Sequence, residues 1–543
     1  MTGLECLPYL SVHSPKSFKM THNLQALTFA ESNPAPQGAD RSGRFFKLLA
    51  IAAAAALTAC SSIAPAPLTQ ETLTEVNQSD QQAARKEVEP IQGPLTLDEA
   101  LARALKYNLE RRSRLMEEAL ALNQLDVSRF DMLPRLMAQA GYSDRNRERA
   151  TYSMPYRPNY GPQSTSSSFS SAASHGTADL GLTWNMIDVG LGYYGSKQQA
   201  DRLLIAGEKR RKAMHLLMQD VRTAYWRAAS AQKLRGDVVK TIAMAEEALA
   251  DSRKVETERV RNPIDALRYQ RQLLENLRLL EAVEQELSSA EVELASLINA
   301  PLGQPLQIAD NPLDLSEDGV LKLPVSRLEE TALEYNADLR EQHYNSRIAR
   351  EEVRKTLTRL FPNLSFNYGL KYDSDRYLVH NNWNEAGVQL SFNLFNLITA
   401  PTQIKLAEAG VALADQRRVA AQMAVLTQLH LARLQLVNAR SQFARADAIF
   451  GTDQKIAVQV RNRASVLAQS KLDQVANETT AILSLLRRYQ ALAQVHSAES
   501  RLMANLGLEP NIGSTDELSL QELTAQLGNS SKPWAVLAQA KVK

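Results

Sequence analysis

Residues 190–195 read Gly-Leu-Gly-Tyr-Tyr-Gly, which is the G-x-G-x-x-G spacing of glycines that bind dinucleotide phosphates at a strand-to-helix turn. A dinucleotide-binding fold also requires a short helix and a second parallel strand within about 30 residues. Here the helical pattern continues from Gly192 to about Arg261, and the matching junction at 397–401 reads Leu-Ile-Thr-Ala-Pro. We therefore interpret the glycines as room for a sharp strand-to-helix bend.

The sequence does not support a zinc enzyme either. The eight His residues are scattered, no H-E-x-x-H motif occurs, and the two cysteines do not cluster, whereas a zinc site needs closely spaced ligands. The formal net charge of +2 argues against nucleic acid as a partner.

The segment before residue 60 has the pattern of an export signal. Residues 41–59 contain basic residues followed by a short apolar run, and they end in Leu-Thr-Ala before Cys60, like a bacterial lipobox. We predict a lipoprotein signal peptide at 41–59, lipidation of Cys60, and sorting to the outer membrane favoured by Ser61; a plain secretory signal is the alternative. Residues 1–40 are interpreted as an over-long start or leader. Apart from the signal, no stretch approaches the roughly 18 apolar residues of a transmembrane helix.

Alternating apolar and polar residues predict a β-hairpin in the second half of the chain. The alternation runs from Leu364 to Tyr372 and returns from Val388 to Leu394, with a polar loop at 373–387 between them. Each strand has roughly the 9–11 residues that a tilted strand needs to cross a bilayer. Alternation alone also fits an amphipathic hairpin on a soluble core. The long helix-forming runs on both sides favour the membrane, because a lone hairpin is marginally stable without partners.

The sequence also contains an internal repeat. Ala-Leu-Lys-Tyr-Asn at 104–108 recurs as Ala-Leu-Glu-Tyr-Asn at 332–336, an offset of 228 (332 − 104), and Ile-Asp at 264–265 recurs as Leu-Asp at 472–473, an offset of 208 (472 − 264). The offset changes inside the hairpins, so the first hairpin has the longer loop, at about 144–176. We predict a lipid-anchored linker at 60–94, repeat 1 at 95–300, an inter-repeat linker at 301–326, repeat 2 at 327–508 and a C-terminal tail at 509–543.

Each repeat is predicted to contain a helix, two strands and two long helices. In repeat 1 the first helix begins at a capping box formed by Thr96 and Glu99 and runs to about Met132. The strands cover 136–143 and 179–186, and the long helices cover 192–261 and 264–299. The return helix has apolar residues at the 3–4 spacing of a coiled-coil seam: Leu280, Val283, Leu287, Ala290, Leu294 and Leu297.

The predicted fold class is α+β, mostly α, with two tandem repeats that each join a membrane β-hairpin to a long coiled-coil helical hairpin. Four strands cannot close a barrel, and a sheet edge cannot stay open in lipid. Two copies would give eight strands filled by their own side chains, whereas three copies would give twelve strands and a lumen. We therefore predict a trimeric 12-stranded β-barrel continued by a periplasmic α-helical tunnel.

These features together resemble the TolC-type outer membrane efflux proteins, the lipoprotein outer membrane factors of tripartite efflux or secretion systems. The resemblance covers roughly residues 95–508, and it rests on the lipobox, the duplicated hairpins, the junction at 184–190 and the helix starts at 264–267 and 472–475. It implies a homotrimeric channel in the bacterial outer membrane that extends into the periplasm. It also implies a periplasmic adaptor and an inner-membrane pump as partners, no cofactor and no catalysis.

In that family acidic residues ring the periplasmic aperture, and the matching positions are Asp265 and Asp473. Three copies of one carboxylate around a narrow axis would attract cations and repel anions. The alternative is that each Asp caps a helix start. Two family positions carry Ala476 and Ala468 instead of an acid and a glycine. Arg261 and Arg461 lie near the same tips. They could pair with acidic residues to hold the aperture shut, but we prefer to interpret them as solvated charges.

One face of the predicted strands suits lipid and the other suits a lumen, because the side chains alternate. The predicted lumen-facing residues are Ser365, Asn367, Lys371, Gln389, Ser391 and Asn393. The predicted lipid-facing residues are Leu364, Phe366, Tyr368, Leu370, Val388, Leu390, Phe392 and Leu394. An interfacial aromatic girdle would contain Tyr142, Trp184, Tyr372 and Trp383.

The function that the resemblance implies is a passive conduit for the efflux of small molecules such as drugs, metals or solutes. Type I protein secretion uses the same channel design, and the lipid anchor favours small-molecule efflux only by analogy. A trimeric coiled-coil lipoprotein without a transport role is the structural alternative. The alternating polar residues argue against it, because a mere anchor needs no lumen.

Overall fold

The computed structural model describes residues 67–153, 166–257, 263–309, 319–464, 471–508, 515 and 517–529. Cys60 and the predicted signal peptide therefore lie outside the described residues. The chain divides into two compact units, residues 1–78 and residues 79–543. In the first unit the described residues, 67–78, contain the start of α1 (Gln70–Arg85).

The described chain is mostly helical with a smaller β component, the α+β class that the sequence predicted. The first half contains α2 (Leu97–Tyr107), α3 (Leu109–Phe130), β1 (Arg135–Asp144), β2 (Arg149–Ser153), β3 (Ser166–Ser171), β4 (Ser174–Asn185), α4 (Met186–Thr257) and α5 (Pro263–Leu297). The second half contains α6 (Val325–Tyr335), α7 (Ala337–Arg359), β5 (Asn363–Asp373), β6 (Asn382–Ser391), α8 (Phe395–Ala464), α9 (Lys471–Leu506) and α10 (Leu520–Asn529).

Strands from both halves form one antiparallel sheet in the order β1-β4-β5-β6. The remaining two strands, β2 and β3, pair with each other in a separate small sheet. The loop predicted at 144–176 therefore contains a hairpin of its own, which its Ser-rich composition did not indicate. The second loop is also shorter than predicted, because β6 begins at Asn382 and leaves only residues 374–381 between the strands.

The helix predicted from Thr96 to Met132 is two helices, divided at Asn108. The Thr96 side chain accepts the Glu99 backbone N–H at 3.2 Å, which confirms the predicted start. Asn108 is extended, with φ −62° and ψ 125°, and its side-chain oxygen caps α3 by accepting the Arg111 N–H at 3.0 Å. An Asn favours a break between two helices, because its side chain can accept a hydrogen bond from a free backbone N–H at the start of the next helix.

Asn336 occupies the same position between α6 and α7. It has φ −63° and ψ 128°, and its side-chain oxygen accepts the Leu339 N–H at 3.1 Å. The amide nitrogen of each Asn donates to a carbonyl near the end of a return helix, at 3.1 Å from Asn108 to Leu297 and at 3.0 Å from Asn336 to Asn505. Each Asn thus caps one helix and ties it to the end of another.

The long helices are continuous rods. α4 has 72 residues, which corresponds to about 108 Å at a rise of 1.5 Å per residue. On α5, the predicted seam is buried from Leu280 to Leu294, but Leu297 is only partly buried and Ile298 is 1% exposed instead. The seam shifts there because α5 ends at Leu297 and the chain leaves the helix.

Near the sheet, the helices lie side by side in the order α3, α4, α7, α8. Polar contacts join each neighbouring pair: Glu118 to Arg210 at 2.7 Å, Gln198 to Glu352 at 3.0 Å, and Ser346 to Asp415 at 2.6 Å. Further from the sheet the order is α5, α4, α9, α8. The corresponding contacts are Arg235 to Glu291 at 3.5 Å, Gln219 to Ser497 at 3.1 Å, and Asp447 to Arg488 at 2.6 Å.

The largest hydrophobic core lies where α2, α4, α8, α9 and α10 meet. The tail segment α10 adds three buried leucines to it, Leu520, Leu523 and Leu527. The segment predicted as a linker also packs on the body, because Leu95 and Ile308 form a parallel bridge and α6 already begins at Val325. The predicted linker and the tail therefore pack into the same core as the long helices.

Candidate functional site

The register of the four-stranded sheet defines two different faces, because residues directly opposite each other in neighbouring strands point to the same side. One face is polar and includes five of the six residues predicted to line a lumen. The pairs that place them there are Asn363–Ser391, Ser365–Gln389, Asn367–Gly387 and Lys371–Trp383. Ser365 is buried at 8% exposure, and its hydroxyl donates to the Gln389 carbonyl at 3.3 Å.

Asn393 is the sixth of these residues, and it is not on a strand. β6 ends at Ser391, and the Asn393 side-chain oxygen accepts the Phe395 N–H at 3.1 Å at the start of α8. Phe392 and Leu394, predicted to face lipid, also lie outside the strand. The alternation of the sequence continues for three residues (392–394) past the end of β6, because the chain turns there into α8.

The other face of the sheet is mostly apolar, and its polar members, Asp144, Ser174, Asn382 and Asn384, all lie at the loop end of the strands. Leu364 lies opposite Leu390, and Phe366 lies between Val388 and Trp184, with 6.5 Å between the Trp184 and Phe366 ring centroids. Val388 and Leu390 are 67% and 69% exposed in the protomer. Tyr142 and Tyr372 belong to the same face. A continuous exposed apolar face of this kind needs an apolar partner such as lipid.

Trp383 does not join that apolar face. It lies opposite Lys371 on the polar face, although it was predicted in an aromatic girdle. The Lys371 ammonium lies 2.6 Å from the Glu385 carboxylate, and Asp179 lies opposite Lys371 on β4. Trp383, Glu385 and Asp179 were missed as polar-face residues, although counting back from Gln389 in steps of two reaches both Glu385 and Trp383.

The turn between β5 and β6 holds the β2–β3 hairpin of the other half of the chain. Asp375 is 4% exposed, and its carboxylate accepts the backbone N–H groups of Ala172 and Tyr377 at 3.0 Å. The Tyr377 ring stacks on Phe169 at 5.8 Å, and its hydroxyl donates to Glu148 at 2.7 Å. The Tyr377 N–H, followed by the Ser171 hydroxyl and the Ala172 N–H, lowers the pKa of the Asp375 carboxyl.

Asp265 and Asp473 lie at the opposite end of the long helices from the sheet. Each is the third residue of its helix, since α5 begins at Pro263 and α9 begins at Lys471, and each is exposed. Asp265 lies 3.9 Å from Arg268. The positions that would cap these helices fall outside the described residues, as does Ala468. A carboxylate in the first turn still interacts favourably with the helix dipole.

Arg461 is paired with an acidic residue, which is the alternative to the preferred interpretation of a solvated charge, whereas Arg261 lies outside the described residues. The Arg461 Nε donates to the Glu478 carboxylate at 2.9 Å, so Arg461 links α8 to α9 near their ends. The partner was missed because the two residues are 17 positions apart in the chain and lie on different helices. The pair is part of the contact between the two helices of one hairpin.

The glycines at 190–195 lie inside α4, which begins at Met186, so the prediction of a bend at these glycines is wrong. A β-carbon on Gly190 would lie 2.8 Å from the Thr358 side chain, and one on Gly192 would lie 3.1 Å from the Asp131 backbone. Glycine therefore lets α4 approach the ends of α3 and α7. The neighbouring sheet is antiparallel, which does not provide the parallel strand of a dinucleotide-binding fold.

Two findings about metal sites and membrane-spanning helices apply to the described part of the chain. No group of three or more His, Cys, Asp or Glu side chains is arranged there to hold a metal ion. None of the helices there combines the length and the apolarity that crossing a membrane requires.

The architecture defines the class of protein: the chain has the fold of the TolC-type outer membrane channels, as the resemblance in sequence predicted. The outer membrane channel CmeC of Campylobacter jejuni matches with a TM-score of 0.59 and 12% identity, covering 87% of this chain and 94% of that one. A Pseudomonas aeruginosa membrane protein matches with a TM-score of 0.56 and 15% identity, covering 78% and 92%.

The open-state outer membrane channel MtrE of Neisseria gonorrhoeae also matches, with a TM-score of 0.56 and 16% identity, covering 76% of this chain and 88% of that one. Two of these three similar structures, CmeC and MtrE, are outer membrane channels. No protein-family model and no curated protein matches the sequence. Identities this low establish the common fold alone.

Proposed function

We propose that the protein is the outer membrane channel of a tripartite export system, a passive conduit for small-molecule efflux. It would receive drugs, metals or solutes from an inner-membrane pump through a periplasmic adaptor. The observation that carries this proposal is the four-stranded sheet, which has one polar and one apolar face and, among the described strands, an open edge on each side. Two long helical hairpins continue from its strands. The channel would perform no catalysis.

Closure of the sheet requires further copies of the chain. Among the described strands, β1 and β6 each pair with one neighbour, so each has one edge without a described partner strand, and lipid does not tolerate an open edge. Each row of helices also has an outer helix on either side. The outer helices are α3 and α8 near the sheet, and α5 and α8 further from it. The outer helices expose large apolar side chains, with Met116 and Leu120 of α3 at 71% and 56%, and Leu406 and Met423 of α8 at 75% and 61%.

Three copies would satisfy both requirements, with β6 and α8 of one protomer against β1 and α3 of the next. The resulting barrel has twelve strands, enough to leave a lumen, and the helices continue it as a periplasmic tunnel. The polar face would line the lumen and the apolar face would contact outer membrane lipid. Lipidation of Cys60 and an aperture ring of Asp265 and Asp473 belong to the same proposal.

The positions of the elements support a chain built from two tandem repeats. α2 and α6 begin 228 residues apart (325 − 97), as do β1 and β5 (363 − 135). α5 and α9 begin 208 residues apart (471 − 263). These offsets equal the two sequence offsets, and the offset changes between the two strands of each pair, where the first loop is the longer one.

The test combines oligomeric state with conductance. Purified protein in detergent is expected to sediment as three chains and to conduct in planar bilayers. Met116→Glu/Leu120→Glu places two charges on the exposed side of α3 and is expected to give monomers that do not conduct. Val239→Glu, at an exposed site on the central helix α4, is the matched control and should remain trimeric.

Conductance also separates this proposal from its alternatives. A stable trimer that never conducts would favour the coiled-coil lipoprotein without a transport role. Type I protein secretion is tested in a strain that lacks its own channel. Restored export of a reporter protein without restored drug efflux would favour the secretion conduit.

A further inference from the structure

Trp383 has an unusual position. Among the described strand residues on the polar face of the sheet, it is the one Trp, Tyr or Phe, and it is 40% exposed. Leaving a large apolar ring on a polar surface loses the free energy that its burial would give. An indole in this position is suited to contact a planar ligand that also carries polar or charged groups.

The surroundings of Trp383 carry a surplus negative charge. Glu385, two residues along the same strand, lies near the indole N–H and 2.6 Å from Lys371. Asp179, opposite Lys371 in the next strand, is close enough to attract the same ammonium group. Two carboxylates thus share one cation. Arg135 also lies on this face, but it is 3.2 Å from Asp188 at the helical end.

Three glycines adjoin this group of side chains, so no side chain covers the backbone there. Gly181 and Gly369 are paired next to Asp179 and Lys371, and Gly387 follows Glu385 on the same face. A β-carbon at Gly181 or Gly387 would meet nothing within 4 Å, and one at Gly369 would meet only the Lys371 side chain and the Leu180 carbonyl, at 3.8 and 3.9 Å. The strands therefore leave room for a ligand beside the indole and the carboxylates.

We propose that Trp383, Glu385 and Asp179 form a contact site for planar organic cations on the wall of the lumen. The site rests on the proposed function, in which the polar face lines the lumen. A planar cation would stack on the indole while its charge is attracted by the ring face and by the shared carboxylates. In a trimer, three such sites would favour aromatic cations over neutral or anionic cargo within the barrel.

The first measurement is current block of the reconstituted trimer by ethidium, a planar aromatic cation. Trp383→Leu is expected to raise the half-blocking concentration about two- to fivefold, the factor that corresponds to an exposed cation–π contact. Glu385→Gln is expected to raise it by a similar factor. Putrescine, an aliphatic cation, should respond to Glu385→Gln and much less to Trp383→Leu.

Trp184→Leu is the matched control, because Trp184 is 42% exposed but lies on the apolar face. It should leave block by ethidium unchanged. Block that is unchanged in Trp383→Leu, or that falls equally in Trp184→Leu, would overturn the site.

A second measurement does not need an open channel. Ethidium is expected to quench the emission that Trp383 contributes, measured as wild type minus Trp383→Phe, and this saturable quenching should weaken in Glu385→Gln. Quenching without any conductance would support the site and contradict the conduit. Quenching of the same emission by lipids with brominated chains would place Trp383 in lipid and overturn the site.

Discussion

Asp375 and Ala172 are 203 residues apart in the chain, and both carboxylate oxygens of Asp375 lie 3.0 Å from the Ala172 backbone nitrogen. Asp375 belongs to the short β5–β6 turn, whereas Ala172 follows β3 in the longer first loop. The turn also contacts that loop through Ser374, whose hydroxyl accepts the Gly176 N–H at 2.7 Å. The second loop therefore fixes the base of the hairpin in the first.

Replacing Asp375 with Ala is expected to free the base of the β2–β3 hairpin. Hydrogen exchange of the Ala172 amide should accelerate by about tenfold or more, because a nearly buried donor loses its charged acceptor. Asp144→Ala, at an exposed position at the end of β1, should leave that exchange unchanged. Equal acceleration in both variants would contradict the role of Asp375.

The same contact predicts a dependence on pH. Its hydrogen bonds lower the folded-state pKa of Asp375 below the ordinary value of 3.8, so the stabilisation is present above that value. It is lost as the pH falls through the lower folded-state pKa. Acidification should therefore accelerate the intrinsically corrected exchange of Ala172 in the wild type and have little further effect in Asp375→Ala.

Asn108→Ala and Asn336→Ala are each expected to destabilise the helical body by about 1–2 kcal/mol, because each removes a helix cap and the donor to a return-helix carbonyl. The midpoint of thermal unfolding measures the effect. Asn336 is 4% exposed, so its replacement should cost more than that of Asn108. Asn336→Asp keeps the capping oxygen but loses the donor to Asn505, and it should fall between wild type and Asn336→Ala. Asn438→Ala, at an exposed site on α8, is the control.

Gly192→Ala and Gly195→Ala are expected to have opposite effects on stability. The new β-carbon at Gly192 would meet the Asp131 backbone at 3.1 Å, whereas at Gly195 it would meet nothing within 4 Å. The first change should cost about 1–3 kcal/mol through overpacking, and the second should stabilise α4 by about 0.5–1 kcal/mol. Denaturation of the two variants against wild type measures both. If Gly192→Ala were as stable as Gly195→Ala, the close approach of α3 would not explain this glycine.

Asp265→Ala/Asp473→Ala tests the proposed aperture ring. If three copies of these carboxylates surround a narrow passage, the wild-type channel should prefer cations and the double variant should lose most of that preference. Reversal potentials in a salt gradient measure the effect. Glu478→Gln is the control, since Glu478 pairs with Arg461 within the hairpin. Unchanged selectivity in the double variant would return both aspartates to a role in stabilising the helix starts.

The sequence alone was sufficient for the features that depend on near neighbours. Period-two alternation identified β5 and β6, and the 3–4 spacing on α5 identified its buried seam from Leu280 to Leu294. Thr96 was recognised as a helix start because a capping oxygen acts on a backbone N–H only three residues away. Such features are local, so the order of residue types specifies them.

Tertiary structure decided the features that depend on residues far apart in the chain. The helix break at Asn108 depends on the Leu297 carbonyl as well as on the local cap, and the glycines near Gly192 are explained by the distant ends of α3 and α7. Trp383 was misplaced because an aromatic residue was assigned by type, whereas pairing with β5 fixes its face opposite Lys371. The Asp375 contact joins two loops that are far apart in the chain. They meet because β4, which follows the first loop, pairs with β5, which precedes the second.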